Sequence, residues 1–243
     1  MTPSIDDDSS RIYKQQVLMS NYIKIYLQIS KFVSQAAMNV VRDGKTEPSP
    51  FDLILLIAVY ESAMSKKKMV ESALSSFIED GHYKNSLLKK FYNDFPLVAS
   101  KYFSCTLKLA ICLLKRDETK IKEFGLKWLR LLFLNQCSDK GKQREIFENV
   151  WILFGEKNKK VIHSAIRLFD LMINNDKEVH FIEENFTYLK LLLEKIDDFS
   201  CEQFETFYNL LCGAFARSEK IRDSLQDELS IVMRKYLQSN NEM

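Results

Sequence analysis

The stretch Ile121–Leu134, IKEFGLKWLRLLFL, decides the fold class of this chain. Its apolar residues recur every three or four positions, and from Leu126 onward they cover nearly the whole circumference of a helix. A helix of this kind is buried on several sides by other helices. Outward from it, no proline occurs between Leu97 and Met243, and the helical spacing continues through almost all of that region. The sequence therefore predicts an all-α protein without strands.

The predicted helices are spaced as in an irregular α-solenoid of antiparallel helix pairs. From residue 97 onward each pair takes about 35–45 residues, the range of HEAT and armadillo repeats, although no strict repeat signature is present. Between Lys159 and Ile173 the apolar residues form two faces, which predicts a helix sandwiched between neighbours. We expect three regions: a disordered acidic start with the end of a first solenoid (1–48), a helical domain (49–116) and a second α-solenoid (117–243).

Helix boundaries are predicted from capping residues and helix breakers. Disorder is expected in residues 1–9 and a long helix from about 12 to 43, with a stripe through Ile12, Leu18, Ile25, Ile29, Phe32 and Val40. Further helices are expected at about 66–80, 84–94, 176–184 and 186–196. The expected start and stop signals are Ser49–Pro50, Gly81, Pro96, Asp117, Ser138, Gly155, the capping box Ser200–Gln203, and Ser218.

Composition limits the possible partners. The chain has 243 residues, with 35 basic and 33 acidic side chains and a net charge of +2. Its isoelectric point of 8.1 lies below the value above about 9 that dedicated nucleic-acid-binding domains usually show. Any contact with DNA must therefore come from a local basic patch. Three such clusters are candidates for binding phosphates: Lys66–Lys68, Lys84 with Lys89–Lys90, and Lys157 with Lys159–Lys160. For any single cluster, an ordinary solvated helix end is the simpler interpretation.

Residues typical of catalysis or metal binding are sparse. The five cysteines are scattered without zinc-like spacing, and we expect them to be buried free thiols. His82, His163 and His180 have no second ligand at metalloprotease spacing, and His163 is expected to be structural. We predict no enzyme activity, no metal and no cofactor. The polar start and the short apolar runs predict a soluble intracellular protein without a membrane partner.

Several segments resemble, in the same order, the Fanconi anaemia group I protein family. Ser49–Pro50–Phe51 with Leu55–Leu56 and Val59 resembles the segment that leads out of that family's first solenoid. Seven later segments resemble successive parts of that family's second solenoid: Gly125–Phe133, Arg144–Val150, Ala165–Leu171, Phe186–Leu189, Phe204–Leu211, Arg222–Asp223 and Arg234–Lys235. The resemblance covers roughly residues 30–240. Family members are several times longer, so we expect a fragment, a shortened homologue or an incomplete gene model.

The resemblance implies a non-enzymatic scaffold in repair of DNA interstrand cross-links, located in the nucleus. It further implies pairing with a paralogous Fanconi partner subunit, binding of duplex or branched DNA, and control by ubiquitin and its ligase complex. Lys235 of the Arg234–Lys235 pair would be the ubiquitin acceptor, although the approach from Arg222 is about one helical turn longer than in the family. The alternative is a generic HEAT/armadillo-type adaptor for protein partners, without a DNA role.

Overall fold

The protein is described here by a computed structural model. The structure describes the backbone of residues 5–29, 31–43, 48–62, 64–136, 139–173 and 179–240, and the side chains of 9–29, 32–41, 48–62, 65–136, 139–173 and 183–234. Within these ranges every regular element is an α-helix or a short 3-10 turn, and no strand is present. The predicted all-α class is therefore confirmed.

Thirteen α-helices lie in the described ranges: α1 (Ile5–Ile29), α2 (Lys31–Asp43), α3 (Pro50–Ser62), α4 (Lys67–Glu79), α5 (Asn85–Asp94), α6 (Pro96–Lys101), α7 (Phe103–Leu114), α8 (Thr119–Leu134), α9 (Lys140–Ile152), α10 (Lys159–Ile173), α11 (Val179–Glu194), α12 (Cys201–Arg217) and α13 (Glu219–Asn240). The chain forms two compact units, Met1–Ile146 and Phe147–Met243, which divide within α9. Helices stack in a solenoid-like manner inside the units, and the predicted domain bounds 1–48, 49–116 and 117–243 stay a prediction.

The first unit is built around α3, α7 and α8. The apolar run Leu53–Tyr60 makes α3 buried almost all round, and this helix contacts α1, α2, α4, α5 and α7. Helices α7 and α8 pack closely because Gly125 presents no side chain to the α7 backbone. Trp128 is fully buried, and its Nε1–H donates a hydrogen bond to the hydroxyl of Tyr92, 3.2 Å away. These contacts fix α8 against α5, which matters for the site described below.

In the second unit, α10 packs most extensively on α12, and α13 packs on both α11 and α12. Helix α10 is covered on both predicted faces, since Val161, Ala165, Ile166 and Leu168 are all buried. An aromatic cluster closes this core, with the ring centroids of Phe147 and Phe169 4.2 Å apart. The sandwiched helix predicted from the two apolar faces is therefore present.

Several local predictions agree with the structure. Gly81, with φ of +75°, follows the end of α4, and Pro50 begins α3. Ser200 and Gln203 form both halves of the predicted capping box at the start of α12. The Ser218 hydroxyl accepts a hydrogen bond from the backbone N–H of Ile221. Pro96 ends α5 as expected and also begins α6, since a first helical residue needs no N–H donor.

Other local predictions were wrong. The described part of the expected disordered start is helical, because α1 begins at Ile5. The two helices expected at 176–184 and 186–196 are one helix, α11, because no glycine or proline interrupts it. Glu118, rather than Asp117, holds the cap position of α8, and it makes no side-chain capping bond. Ser138 lies outside the described residues, and Asp139 instead accepts a hydrogen bond from the N–H of Lys142.

The expectation of buried cysteines holds only in part. Cys105 and Cys112 on α7 are half-buried free thiols, and burial raises the pKa of each. Cys201 and Cys212 on α12 are exposed, which corrects the prediction for these two. Cys201 is the first residue of α12. Cys137 lies outside the described residues.

Candidate nucleic-acid interface

One of the three predicted lysine clusters borders two neighbouring grooves in the first unit. Lys84, at the cap position of α5, lines both of them. The first groove has a volume of about 200 Å³ and is lined by Pro48, Ser49, Pro50, His82, Lys84, Ser86, Leu87 and Lys90. The second has a volume of about 350 Å³ and is lined by Ile78, Tyr83, Lys84, Asn85, Thr119, Lys120, Glu123, Phe124 and Lys127. We call the second one the lysine groove.

The lysine groove combines residues from two distant parts of the sequence. Lys84 comes from the loop between α4 and α5, whereas Lys120 and Lys127 project from exposed positions on α8. The Nζ of Lys120 lies 3.4 Å from the carbonyl oxygen of Glu79, near the end of α4. Glu123 is the one carboxylate among the residues that line the groove. Its lining therefore carries an excess of positive charge, which a phosphate group would offset.

Tyr83, one of the residues that line the lysine groove, carries a hydroxyl without a hydrogen-bond partner. Its side chain is 3% exposed, and its buried hydroxyl has no hydrogen-bond partner. Burial, and secondarily the charge of Asp52, raises the pKa of Tyr83 above its usual value, so the hydroxyl keeps its proton. A buried hydroxyl without a partner is energetically unfavourable, so this group lowers the stability of the first unit.

Two helix N-termini also open on the lysine groove. Helix α5 begins beside Lys84 and α8 beside Glu118, and neither has a side-chain capping bond. The first N–H groups of a helix carry partial positive charge, and anions bind there readily. At the first groove the situation differs, because the Asp52 carboxylate accepts hydrogen bonds from the backbone N–H and hydroxyl of Ser49. The lysine groove is thus the better anion site of the two.

The cluster Lys66–Lys68 lines neither groove. Lys66 Nζ donates to the side-chain oxygen of Gln35 at 2.9 Å, and Lys67 Nζ lies 5.4 Å from the ring centroid of Tyr60. Both lysines are half-buried, and only Lys68 is exposed. Their amines serve contacts inside the first unit, so this cluster is a poor candidate for binding phosphates.

The cluster Lys157 with Lys159 and Lys160 lies at the start of α10 in the second unit, and all three side chains are exposed. The backbone around it is fixed, because Lys160 N–H donates to Asn158 Oδ1 and Gln203 Nε2 donates to Lys159 O. This cluster is therefore an ordinary solvated helix end, as the simpler interpretation of the sequence predicts.

Lys235 lies within α13, and its side chain falls outside the described part of the structure. Burial along α13 decreases toward it: Ile221 and Leu225 are buried, Leu229 and Val232 are half-buried, and Arg234 is exposed. The proposed ubiquitin acceptor is therefore on a helical backbone at the less covered end of α13. Its role as an acceptor stays a prediction.

The described histidines and acidic side chains form no cluster comparable to the lysine groove. His163 Nε2 lies 3.6 Å from a carboxylate oxygen of Glu202, and His180 lies outside the described side chains. In the described part of the chain, no group of three or more His, Cys, Asp or Glu side chains is arranged to hold a metal ion. None of the helices in the described ranges has the length and apolar content that a membrane crossing needs.

Comparison with known sequences shows which family this chain belongs to. The model of the family described as "Fanconi anaemia protein FancD2 nuclease" matches residues 3–242. The chain belongs to the FancD2 family. The Fanconi anemia group D2 protein homolog of Mus musculus is 22% identical over 227 residues, which cover 92% of this chain and 15% of the mouse protein. The homolog of Rattus norvegicus is 23% identical over 227 residues, with the same coverage.

These comparisons confirm the broader prediction of a Fanconi-type protein and do not confirm group I specifically, since the two relatives are group D2 proteins. The chain spans about 15% of the length of these relatives, so it corresponds to a limited part of them.

Two residues of the lysine groove, Lys120 and Lys127, escaped the sequence analysis because they stand alone rather than in a run. Their seven-residue spacing on α8 puts them on one exposed face, and that spacing is the signal that would have identified them. Nothing in the sequence pairs this face with Lys84. Only the packing of α8 against α4 and α5 brings the three amines to one groove.

Proposed function

We propose that this chain is a non-enzymatic scaffold of DNA interstrand cross-link repair, acting in the nucleus and binding duplex or branched DNA through the lysine groove. The observation that carries the DNA role is the convergence of Lys84, Lys120 and Lys127 on one groove. The phosphate backbone supplies most of the affinity in such binding, and lysines on a fixed helical frame position it.

Salt dependence of DNA binding tests this proposal. If each of the three lysines neutralises one phosphate, the slope of log Kobs against log salt is about −2.7, since each phosphate contributes about −0.9. We expect the triple variant Lys84→Gln/Lys120→Gln/Lys127→Gln to lose most of that slope. Between 50 and 200 mM salt, the affinity of the unmodified chain then falls about 40-fold, while that of the variant changes little.

A matched control separates this groove from net charge. The variant Lys66→Gln/Lys67→Gln/Lys68→Gln removes the same three charges from a cluster that lines neither groove. It is expected to keep the slope of the unmodified chain, provided that circular dichroism shows the same helix content. An equal loss of slope in both variants would mean that general charge, rather than the groove, holds DNA.

The second candidate function is a HEAT/armadillo-type adaptor for protein partners, without a DNA role. The exposed apolar side chains on α1 and α2, among them Tyr22, Tyr26 and Phe32, favour it because such surfaces commonly contact proteins. A slope near zero for the unmodified chain, with binding that does not distinguish duplex from branched DNA, would support the adaptor. A slope of about −2 or steeper supports the scaffold.

The proposal includes a partner and a modification. Because the two reported relatives are group D2 proteins, we propose that the paralogous subunit bound by this chain is of the group I type. Lys235 on α13 is proposed to accept ubiquitin from the pathway's ligase complex. The change Lys235→Arg keeps the charge and removes the acceptor amine, so the modified band should disappear after cross-link damage while partner co-purification continues. Persistence of that band would remove Lys235 from the proposal.

The word nuclease in the family description calls for a direct test of the non-enzymatic role. We expect no cleavage of single-stranded, duplex or branched DNA by the purified chain in the presence of Mg²⁺ or Mn²⁺. Cleavage that follows the chain through purification and is lost on mutation of its own carboxylates would contradict this part of the proposal.

A further inference from the structure

The outer face of α1 carries a row of exposed side chains at coiled-coil spacing. Ile12, Gln15, Met19, Tyr22, Tyr26 and Ile29 follow one another at alternating intervals of three and four residues. That is the a/d pattern of a heptad repeat, whose members face a partner helix along one seam. All six are exposed, with Tyr22 and Tyr26 at 63% and Ile29 at 75%. We call this row the α1 seam.

The opposite face of the same helix is already used inside the first unit. Ser20 and Leu27 are buried, Lys24 Nζ lies 3.0 Å from Glu61 Oε1, and Gln16 Nε2 donates to Asp94 O at 3.0 Å. The helix is therefore held in place by one face while it presents the α1 seam outward. Such a preformed seam needs no folding step before it binds.

We propose that a second copy of this chain occupies the α1 seam, with the two α1 helices antiparallel. Two features of the seam favour a second copy. First, the seam contains no charged residue, so nothing in it selects a partner of opposite charge; Lys24, the one charged residue between Gln15 and Ile29, is paired with Glu61 on the inner face.

The second feature is area. Leu18 and Ile25, which are also exposed, flank the five apolar members of the seam and make seven apolar side chains on this face. A whole aromatic side chain buries about 150–250 Å², so about 100 Å² is a fair value for each of these partly exposed residues. The seven together offer about 700 Å² per copy, and two copies about 1,400 Å², within the roughly 1,200–2,000 Å² of stable interfaces.

The register follows from the antiparallel match of the seam to itself. When two copies are centred between Ser20 and Asn21, Ile12 faces Ile29, Gln15 faces Tyr26, and Met19 faces Tyr22 of the other copy. The Gln15 amide then has the Tyr26 hydroxyl as a hydrogen-bond partner, and a thioether against an aromatic ring is a favourable contact.

A parallel pair would lose these matches and add repulsion. It would bring the exposed Arg11 and Lys14 of one copy beside the same residues of the other. In the antiparallel pair the two positive ends lie at opposite ends of the seam, which separates the Arg11 residues by about 28 Å and the Lys14 residues by about 20 Å at 1.5 Å per residue. Like charges at these distances are largely screened at physiological salt. For the Arg11 and Lys14 pairs, charge therefore favours the antiparallel arrangement.

Sedimentation equilibrium of the full 243-residue chain tests the proposal. The unmodified chain, of 28.5 kDa, is expected to give twice that mass at micromolar concentration. Tyr22→Glu and Tyr26→Glu should each raise the dissociation constant by at least about 30-fold, the change expected for a central aromatic residue of an interface. Both positions are exposed in the single chain, so circular dichroism should show an unchanged helix content.

A matched control and a charge exchange define the interface and its register. Ile231→Glu changes an equally exposed isoleucine on α13 (54%) and should leave the dimer intact. The double variant Ile12→Lys/Ile29→Glu places opposite charges together in the antiparallel register and should remain dimeric. Ile12→Glu/Ile29→Glu places like charges together and should be monomeric.

Three results would overturn the proposal. A monomeric unmodified chain at 100 µM, including one that binds another protein through α1, would exclude the second copy as the occupant. A dimer that survives Tyr22→Glu and is lost with Ile231→Glu would place the interface on α13. Monomeric behaviour of both charge-exchange variants would exclude the antiparallel register.

Discussion

Gly125 on α8 lies directly against the backbone of α7, and replacing it with alanine perturbs the packing of α8, one of the helices that line the lysine groove. A Cβ atom at this position would lie 2.9 Å from the backbone nitrogen of Leu114, 3.0 Å from the carbonyl oxygen of Ala110 and 3.0 Å from the Cβ of Leu113. None of these atoms belongs to the flexible end of a side chain. The two helices must therefore move apart.

The expected magnitude combines two opposing effects. Alanine is favoured over glycine inside a helix by about 1 kcal/mol. Inserting a methyl group into a closely packed interface typically costs about 1–3 kcal/mol. Because two of the three close contacts are with backbone atoms, we take the upper half of that range. Gly125→Ala is then destabilising by about 1–2 kcal/mol, and Tm falls by about 2–8 °C at the usual ratio for chains of this size.

Urea unfolding followed by circular dichroism at 222 nm measures this change. Gly141→Ala is the matched control, because it makes the same substitution at an exposed position of α9, where the nearest atom is 3.4 Å from the added Cβ. The control should be unchanged or slightly more stable. If Gly125→Ala is as stable as the control, α7 and α8 do not approach as closely as described, and the reasoning fails.

Three further substitutions test other contacts. Trp128→Phe removes the hydrogen bond to Tyr92 and leaves a void, so we expect a loss of about 2–3 kcal/mol in urea unfolding, and a loss below about 0.5 kcal/mol would contradict the buried bond. Ser200→Ala removes one half of the capping box of α12 and should cost about 1 kcal/mol, whereas Ser230→Ala, whose hydroxyl bonds only to a carbonyl of its own helix, should cost less. Tyr83→Phe removes an unpartnered buried hydroxyl, so stability should be unchanged or higher, and a loss of more than about 1 kcal/mol in urea unfolding would contradict the absence of a partner.

Local signals in the sequence were reliable where the chemistry is confined to a few neighbouring residues. The capping box at Ser200, the positive φ of Gly81 and the helix start at Pro50 all depend on residues within one turn. The prediction of two helices around residue 185 was wrong, and the cause is again local. No breaker separates them, and a small change of apolar pattern does not interrupt the hydrogen bonds of a helix.

The candidate site was harder to predict because it depends on contacts between helices. The run of lysines at 66–68 looked as strong as the pair at 89–90, yet Lys66 and Lys67 are engaged by Gln35 and Tyr60. Lys120 and Lys127 carry no clustering signal in the sequence, because single lysines on an exposed helix face are common. Charge clustering in a sequence does not report which amines end beside the same groove.

Helix α1 illustrates how burial can differ from apolar spacing. The stripe through Ile12, Leu18, Ile25 and Ile29 predicted one long helix to residue 43, whereas the structure has two helices, α1 and α2. The structure also leaves that stripe exposed and buries Ser20 and Leu27 instead. Both faces of the helix contain apolar residues, so spacing alone could not decide which one meets the first unit. Lys24 and Gln16 help to fix the choice through their contacts with Glu61 and Asp94.

The sequence by itself determined the all-α class, most helix boundaries and the near-neutral charge, because each follows from residues close together in the chain. The tertiary structure alone decided that α8 lies beside the start of α5, which joins Lys84 to Lys120 and Lys127 and leaves the Tyr83 hydroxyl without a partner. The physical reason is that helix formation depends on local spacing, whereas a site depends on which faces pack together. Side-chain shape, such as the absence of a Cβ at Gly125, sets that packing across long sequence distances.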